Sequence, residues 1–503
     1  MNLQIDSPVL QISISILTLS TLYLIWKWIK SGTKIGFFPP GARGLPILGY
    51  LPFLREDLHN QFTELSHKYG PIYKLWLGNK LCVVISSPSL IKEVVRDHDT
   101  IFSNRNKSVA ATIATFNAND IAWCPYGTEW RERRKLFVRE MLSNAKLDAS
   151  YNLRKDEVRK AIGQVYSKIG SCIEISELAF MIDINLVMSM CWGSSIEGEG
   201  RDNIAKALLP VVAKILDVLG KPNVSDYFPI LARFDIQGIE KEMRGLMKRV
   251  ECIIKGIIED RIKIYKDKGQ GAIVKEGRMD FLQMLVELNE MEDVKNIVIG
   301  GTDTSSTTVE WVMTELLRNP EAMKRVQTEL TEVVGLNNIV EESHIPKLIF
   351  LDAVLKETMR IHPIGPFLTP RTPSETCTVG GYTVQKDSGI FINVWSIQRD
   401  PLIFKNPLDF NPDRFLGNSG KWDFSGNNFN YMPFGSGRRI CAGLPLADRM
   451  VRYVLASLLH SFEWKLPKGE NLDMSDQFGI VLRKRMPLNA VPIPRLSCSN
   501  LYA

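Results

Sequence analysis

One cysteine of this 503-residue chain lies in a loop rich in glycine and arginine. The segment Phe434-Gly435-Ser436-Gly437-Arg438-Arg439-Ile440-Cys441-Ala442-Gly443 surrounds Cys441 with small residues, which allow close backbone approach and unusual φ angles. Arg438 and Arg439 are expected to lower the cost of a thiolate, and an iron-bound thiolate donates electron density that favours O–O cleavage. A flat cofactor could sit against this loop. The alternative is a glycine-rich turn that carries an inert cysteine.

Two pairs of residues upstream have helical spacing. Trp130 and Arg134 are four residues apart, so a helix would present an indole and a guanidinium donor on one side, suited to a carboxylate. The alternative is a solvated basic helix. Glu357 and Arg360 are three apart and can form an ion pair on one helix face, a weak signal by itself.

The segment Gly300-Gly301-Thr302-Asp303-Thr304-Ser305-Ser306 has poor helix propensity, because it combines two glycines with clustered hydroxyls. Taken alone, it fits a turn or a helix N-cap, since Asp and Thr both cap well. A helix that is weakened here for a purpose is the other interpretation.

The N-terminus predicts a membrane anchor. Residues 7–26 carry no charge and as a helix would span about 30 Å of hydrocarbon. A cleaved signal peptide is the alternative, but no basic residue precedes the stretch and no clear cleavage site follows it. Lys27, Lys30 and Lys34 follow the stretch, which places the remainder in the cytosol. We predict an anchor over 1–30, a Pro/Gly-rich hinge over 31–49 and one domain over 50–503.

Composition excludes several classes of protein. With 45% hydrophobic residues the chain can bury a large core, and a net charge of +6 without a long basic run does not indicate nucleic acid. The eight cysteines form no Cys-x-x-Cys pair, so neither a disulfide framework nor a zinc site follows. Short strands are predicted near residues 72–76 and 81–85, and a long amphipathic helix with apolar positions from Ile236 to Ile253. The fold class is mainly α with small β-sheets.

Phe434, Gly437, Arg439, Cys441 and Gly443 fill every fixed place of Phe-x-x-Gly-x-Arg-x-Cys-x-Gly, the haem loop of the cytochrome P-450 superfamily. The chain resembles that superfamily from the N-terminal anchor and the hinge to the C-terminus. Within it, the segments 73–84 and 220–229 look like the plant microsomal (+)-delta-cadinene 8-hydroxylase group. The resemblance implies a haem-thiolate fold behind an N-terminal transmembrane helix.

Roles for individual residues follow from the resemblance. It implies that Cys441 is the axial ligand of the haem iron, that Thr304 positions dioxygen and that Asp303 supplies protons. It also implies that Glu357 and Arg360 are joined by Arg414. The remaining cofactor-binding residues that it implies are Trp130, Arg134, Arg371, Phe434, Arg439 and Gly443.

The implied activity is hydroxylation of a small apolar plant metabolite, a sesquiterpene, with haem b, O2 and NADPH. No flavin or nicotinamide fingerprint is present, so a separate NADPH-cytochrome P-450 reductase would supply electrons, with cytochrome b5 as a further partner. The implied location is the endoplasmic reticulum membrane, with the catalytic domain facing the cytosol. An apolar wall for the substrate is expected within 108–122, 364–368 and 478–482, and ordinary core packing is the alternative. Its expected members are Val109, Ile113, Phe116, Phe367 and Ile480.

One stretch departs from the family pattern. Between Leu282 and Gly300 the chain is shorter than its relatives by about fifteen residues, in the first half of the helix expected over the haem. This shortening favours one alternative, a catalytically impaired haem protein. A second alternative, independent of it, is a haem-thiolate isomerase or dehydratase that needs no reductase. The Asp303-Thr304 pair argues against the isomerase.

Overall fold

The computed structural model describes residues 8–31, 37–192, 199–268, 291–417 and 420–503. Helices dominate, as the sequence predicts. They are α1 (Pro8–Ser31), α2 (Leu58–Tyr69), α3 (Pro88–Lys92), α4 (Val109–Ala114), α5 (Thr128–Glu140), α6 (Asn144–Ala149), α7 (Tyr151–Ser167), α8 (Ile175–Trp192), α9 (Glu199–Gly220), α10 (Val224–Tyr227), α11 (Ile239–Lys268), α12 (Met291–Arg318), α13 (Pro320–Val333), α14 (Ile349–Ile361), α15 (Val394–Ile397) and α16 (Leu444–Ser461).

The strands form small sheets. They are β1 (Ile72–Leu77), β2 (Lys80–Ile85), β3 (Asn104–Arg105), β4 (Ile173–Glu174), β5 (Arg371–Thr372), β6 (Cys377–Val379), β7 (Tyr382–Val384), β8 (Gly389–Ile392), β9 (Phe462–Lys465), β10 (Asp476–Gln477), β11 (Arg483–Lys484) and β12 (Asn489–Pro494). The largest has the order β1-β2-β8-β5-β3, and a second has the order β4-β12-β9. The two predicted strands are confirmed as the β1–β2 hairpin, with Ile72 opposite Ile85.

Helix α12 lies in the middle of the core. Its side chains are buried in successive turns from Ile297 to Leu316, which is typical of a helix packed on all sides. It contacts α8, α14 and α16, and Trp311 on it is fully buried. The side chains from Thr302 to Leu316 on this helix are therefore held largely inside the protein.

The predicted amphipathic helix is confirmed as α11, with one correction. Ile239, Met243 and Val250 on it are buried. Ile236, expected on the same apolar face, lies before the helix and is exposed, because the left-handed Asp235 (φ 39°) and Gly238 (φ 69°) separate it from the helical register.

Residues 37–49 of the predicted hinge are non-helical and run beside β1. The Lys74 N–H donates to Pro40 O (2.8 Å), and Gly41 bridges Lys74 in parallel. The division into anchor, hinge and domain stays a prediction. Among the residues that the structure describes, no helix reaches the combined length and hydropathy required to traverse a bilayer.

Candidate functional site

Cys441 lies directly before the N-terminus of α16. Its N–H donates to Phe434 O (2.9 Å), which closes the loop. The residue is open to a cavity of about 520 Å³ but enclosed by protein elsewhere, and this desolvation raises the pKa of the thiol. The N–H groups of Gly443 and Leu444 and the charge of Arg134 act in the opposite direction on that pKa. The first turn of α16 thus supplies the donors that a thiolate needs.

The prediction that Arg438 and Arg439 stabilise the thiolate is wrong. Arg134 is the cation that acts on the sulfur. Arg438 instead forms an ion pair with Asp99 (3.0 Å), and Arg439 points its guanidinium at backbone carbonyls. Adjacency in sequence is a poor guide here, because the turn at Gly437–Arg439 directs both side chains away from Cys441.

The glycines of the loop differ in what they do. Gly437 has φ +68°, and a Cβ there would lie 2.5 Å from Val95 O, so only glycine fits. Gly443 has an ordinary helical φ of −77° and caps α16. Phe434 packs its ring edge-on against Phe424 with centroids 5.1 Å apart, which holds the start of the loop against the core.

Four arginines gather beside this loop. Arg371 and Arg439 are buried, and Arg105 and Arg134 are partly buried. Burial and repulsion from the neighbouring arginines lower the pKa of Arg105 well below its usual value. Burial lowers the pKa of Arg371 to about 10. Burial and repulsion from Arg371 lower the pKa of Arg439 to about 10. In the described part of the chain, the carboxylates acting on this arginine cluster are Asp99 and Asp120.

The hydrogen bonds of the cluster go mainly to backbone carbonyls. Arg371 donates to Ser436 O (2.7 Å) and Arg134 to Ile440 O (2.8 Å). Arg439 donates to Ser103 O (2.6 Å) and Ile121 O (3.2 Å) and also contacts Cys124 O. Neutral carbonyls satisfy the donors but do not cancel the charge, so the cluster keeps a surplus of positive charge.

Trp130 belongs to the same group. Its indole Nε1 donates to Ile121 O (2.9 Å), and its ring lies 4.4 Å from the Arg439 guanidinium and 5.6 Å from that of Arg134. The predicted pair Trp130 and Arg134 therefore lies beside the cysteine loop, on α5. Both donors are engaged by backbone oxygens.

Sequence reasoning did not find Arg105. It stands directly opposite Arg371 in the antiparallel β3–β5 pair, an arrangement of like charges that destabilises a sheet. No local pattern signals it, because the pairing joins distant parts of the chain. Its placement adds to the evidence that the arginine cluster is built for an anion.

The predicted ion pair between Glu357 and Arg360 is confirmed. Arg360 donates to both carboxylate oxygens of Glu357 (2.7 and 2.8 Å), and both side chains are fully buried. Arg414 donates to Glu357 Oε1 (3.2 Å), and the Asn411 N–H does so as well (2.8 Å). The carboxylate thus ties α14 to the segment around residue 412.

The segment from Gly300 to Ser306 is helical, so the turn favoured by its composition is wrong. The hydroxyl of Thr304 donates to Gly300 O (3.2 Å). Asp303 pairs with Arg483 (2.9 Å), which also binds Asp217 (3.0 Å). Burial raises the pKa of Asp303, and Arg483 opposes that shift.

The predicted shortening lies between Leu282 and Gly300, and residues 283–290 of that interval lie outside the described residues. Helix α12 is described from Met291. The effect of this shortening on activity stays a prediction.

The expected apolar wall divides in two. Ile113, Phe116 and Ile480 pack against one core cluster together with Ile364. Phe367 lies in another cluster, with its ring 5.1 Å from Phe62 and 5.7 Å from Phe478. Val109 donates its N–H to Asp226 (2.6 Å).

The arrangement fits haem b. A thiol at a helix N-terminus suits an axial iron ligand, and surplus guanidinium charge suits two propionates. Cys441 would hold the iron, and the arginine cluster with Trp130 would hold the carboxylates. The roles of the individual residues stay predictions.

Comparison with known proteins agrees with this geometry. Residues 39–489 match the family model described as Cytochrome P450. Geraniol 8-hydroxylase of Swertia mussotii is 38% identical over 97% of this chain and 100% of its own length, and ferruginol synthase of Salvia fruticosa is 36% identical over 95% and 99%. A solved zebra fish cytochrome P450 with progesterone covers 87% of this chain and 99% of its own, with 25% identity and a TM-score of 0.70. The chain belongs to the cytochrome P450 family.

Proposed function

We propose that this chain hydroxylates a small apolar terpenoid, with sesquiterpenes as its substrate class. It is a haem-dependent monooxygenase that uses O2 and receives NADPH electrons through a separate reductase. The observation that carries the proposal is Cys441, held at the N-terminus of α16 beside surplus guanidinium charge. Two relatives with terpenoid names, geraniol 8-hydroxylase and ferruginol synthase, support the substrate class.

Haem, when bound, supplies the activation of O2 and the insertion of one oxygen atom into a C–H bond. The residues of the chain arrange that chemistry. Cys441 would hold the iron through its sulfur, and the arginine cluster would bind the carboxylates of the cofactor and so fix its orientation. We propose that the Thr304 hydroxyl orients dioxygen and that Asp303 passes protons to it, which is positioned proton transfer.

Substrate recognition is proposed for the wall made by Ile113, Phe116, Ile364 and Ile480, which pack on a shared cluster. These side chains offer area and shape but few polar contacts, as a hydrocarbon substrate requires. Phe116, Asn117 and Ala118 all have positive φ (47°, 69° and 61°), and such strain is typical of functional segments. We leave Phe367 out of the wall, because its partners are core aromatic rings.

Electron delivery is proposed at the face formed by α5 and Arg438. Arg131 and Arg438 lie over the same Tyr126 ring, at 5.9 and 5.5 Å, and both are exposed. Lys135 on α5 is exposed as well. This basic face suits an acidic reductase, and cytochrome b5 would use it too. Arg131→Glu should slow reduction of the protein by the reductase. The control Arg244→Glu, a charge reversal on α11, should leave the reduction rate unchanged. A reduction rate that is the same for wild type and Arg131→Glu at all salt concentrations would refute the docking face.

We propose that the protein resides in the endoplasmic reticulum membrane with its catalytic domain in the cytosol. Large apolar side chains of α1, including Leu17 and Leu19, are exposed. A second set of exposed apolar side chains comprises Ile47, Leu48, Ile230 and Phe234. Their two segments are joined to the β1–β2 turn, because the Gly78 N–H donates to Leu48 O and the Asn79 N–H donates to Tyr227 O. Exposed apolar area of this kind marks a contact with lipid or protein. Deletion of residues 1–36 should shift the protein toward the soluble fraction, and full retention by membranes would require another attachment.

The test of the function is co-expression with a plant reductase and a panel of sesquiterpenes, monoterpenes and diterpenes. The expected result is a product that gains one oxygen atom and depends on NADPH. Thr304→Ala should raise NADPH use without product, whereas Thr308→Ala, at a hydroxyl that only bonds Thr304 O (2.8 Å), should not. Turnover of a hydroperoxide without NADPH would instead support the isomerase.

A further inference from the structure

A second buried carboxylate lies on α12, two turns beyond Asp303. Glu310 is 4% exposed, and its Oε1 accepts the Leu488 N–H (2.7 Å). Burial raises the pKa of Glu310 to about 7; Lys484 and the Leu488 N–H oppose this shift, whereas Glu174 and Asp303 add to it. A carboxyl group with this pKa can both hold and release a proton near neutrality.

A hydroxyl group stands between the two carboxylates. Asp303, Thr307 and Glu310 are four and three residues apart, so they share one face of α12, with Cβ atoms of neighbouring members about 5–6 Å apart. The other threonines of this stretch donate to the carbonyl four residues earlier: Thr302 (2.8 Å), Thr304 (3.2 Å), Thr308 (2.8 Å) and Thr314 (2.7 Å). The Thr307 hydroxyl has no hydrogen-bond partner in the described part of the chain, although the residue is only 3% exposed. The carboxyl groups bond Arg483 (Asp303) and the Leu488 N–H (Glu310) rather than Thr307, so a relay requires the Thr307 side chain to rotate toward them.

The far end of this row lies close to the surface. Leu488, which binds Glu310, precedes Asn489, and Asn489 pairs with Glu174 of β4. Glu174 is exposed to solvent. Glu310 is thus buried directly beneath a solvent-facing sheet edge, while Asp303 lies beside Thr304.

We propose that Glu310 receives protons from solvent at the β4 edge and passes them through Thr307 to Asp303. This inference rests on the proposed function, since it supplies the protons that Asp303 delivers. In the step, the Glu310 O–H bond breaks and its proton binds the Thr307 oxygen, whose own proton moves to the Asp303 carboxylate. Glu310 is left as a carboxylate and takes a proton from solvent, so charge and atoms balance. Glu310 acts through other groups and is a positioning residue.

The competing explanation is structural, because Glu310 satisfies the Leu488 N–H. Glu310→Gln separates the two, since the amide oxygen keeps accepting that hydrogen bond but the side chain holds no transferable proton. Thr307→Val removes the intermediate hydroxyl at nearly equal volume. Asp183→Asn is the matched control: Asp183 is 4% exposed on α8, burial raises its pKa, and its Oδ2 has no hydrogen-bond partner in the described residues, but it lies outside the row.

The first readout is product formed per NADPH consumed by the full chain with reductase. Glu310→Gln should lower this ratio about tenfold and raise peroxide release, one order below the roughly 100-fold effect expected for direct proton transfer. Thr307→Val should act in the same direction, and Asp183→Asn should match the wild type. The Glu310→Gln variant should also lose the dependence of the ratio on pH around neutrality. An unchanged ratio and pH profile in Glu310→Gln would overturn the route.

The second readout needs no turnover. Infrared titration of the resting protein should show a carboxyl C=O band that disappears as pH rises through about 7. The band should be lost in Glu310→Gln and kept in Asp183→Asn; its persistence in Glu310→Gln would refute the assignment. If no terpenoid is oxidised, the proposed substrate class fails, while this titration still decides whether Glu310 stores a proton.

Discussion

Two regions of the core bury charge of opposite sign. Beside Cys441, Arg371 and Arg439 are buried with Arg105 and Arg134 close by, and burial together with their mutual repulsion lowers the pKa of Arg105 and of Arg439. Around α12, buried carboxyls outnumber the cations Arg483 and Lys484 that face them, and burial raises the pKa of Asp303, Glu310 and Asp183. Like charges buried together oppose folding unless another charge compensates them.

The two regions differ in how the free-energy cost of their buried charge can be removed. A guanidinium keeps its proton under any physiological condition, so its surplus charge must be balanced by a bound anion. A buried carboxylate can instead lose its charge by taking up a proton. The arginine cluster is therefore suited to permanent retention of a dianionic group, and the carboxyl row to transient proton storage.

The largest expected effect is at the sulfur. Cys441→Ser should abolish the thiolate-specific carbonyl-bound Soret band and all monooxygenase product, because an alkoxide does not replace the thiolate donor. The carboxyl titration on α12 should be unaffected, since the two regions are separate. Carbon monoxide difference spectra measure the first and infrared titration the second. Cys124→Ser, at a buried cysteine in the same neighbourhood, is the control that should keep the band.

The next prediction compares a buried ion pair, Glu357 with Arg360, with an exposed one. Glu357→Ala should lower the free energy of unfolding by about 3–5 kcal/mol, because it leaves Arg360 buried without its partner. Asp413→Ala breaks the exposed pair with Arg325 and should cost less than about 1 kcal/mol. Urea unfolding of both variants measures the difference. Equal losses would mean that burial does not set the strength of these pairs.

The carboxyl row should make stability depend on pH. The pKa of Glu310 is raised to about 7 in the folded chain from an ordinary 4.5, so the folded state holds a proton that the unfolded state has lost between those values. Unfolding free energy should therefore fall by about 3 kcal/mol as pH rises from about 4.5 to about 7. Glu310→Gln should flatten this part of the profile, and Asp473→Asn, at a partly exposed carboxylate whose pKa is lowered by hydrogen bonds from Ser475, should not. Chemical denaturation across that range measures it.

Local motifs carried most of what the sequence predicted. The cysteine loop and the Glu357–Arg360 pair need only neighbours along one segment, and the helical class follows from periodicity. The sequence did not identify Arg105 or Arg483, because each becomes significant only through a distant partner. Arg105 lies opposite Arg371 across β3–β5, and Arg483 forms an ion pair with Asp303. Glu310 carried no signal, because its burial beneath β12 is a tertiary property.

The smallest expected effect concerns one member of the arginine cluster. Arg105→Gln keeps hydrogen-bond donors for Ala122 O and Thr369 O but removes the charge facing Arg371. Haem loss should accelerate by about 10- to 100-fold, since a hydrogen bond to a charged group contributes about 1.5–3 kcal/mol. The haem-free chain should not be destabilised, because repulsion within the cluster is relieved.

Transfer of haem to an acceptor globin measures the first quantity, and denaturation of the haem-free chain measures the second. Arg438→Gln is the matched control, because its exposed guanidinium is already neutralised by Asp99 at 3.0 Å. If Arg105→Gln destabilised the haem-free chain while leaving haem retention unchanged, the guanidinium would serve folding rather than an anion. The surplus charge would then lose its explanation, since only a ligand that removes the repulsion makes the opposed Arg105 and Arg371 favourable.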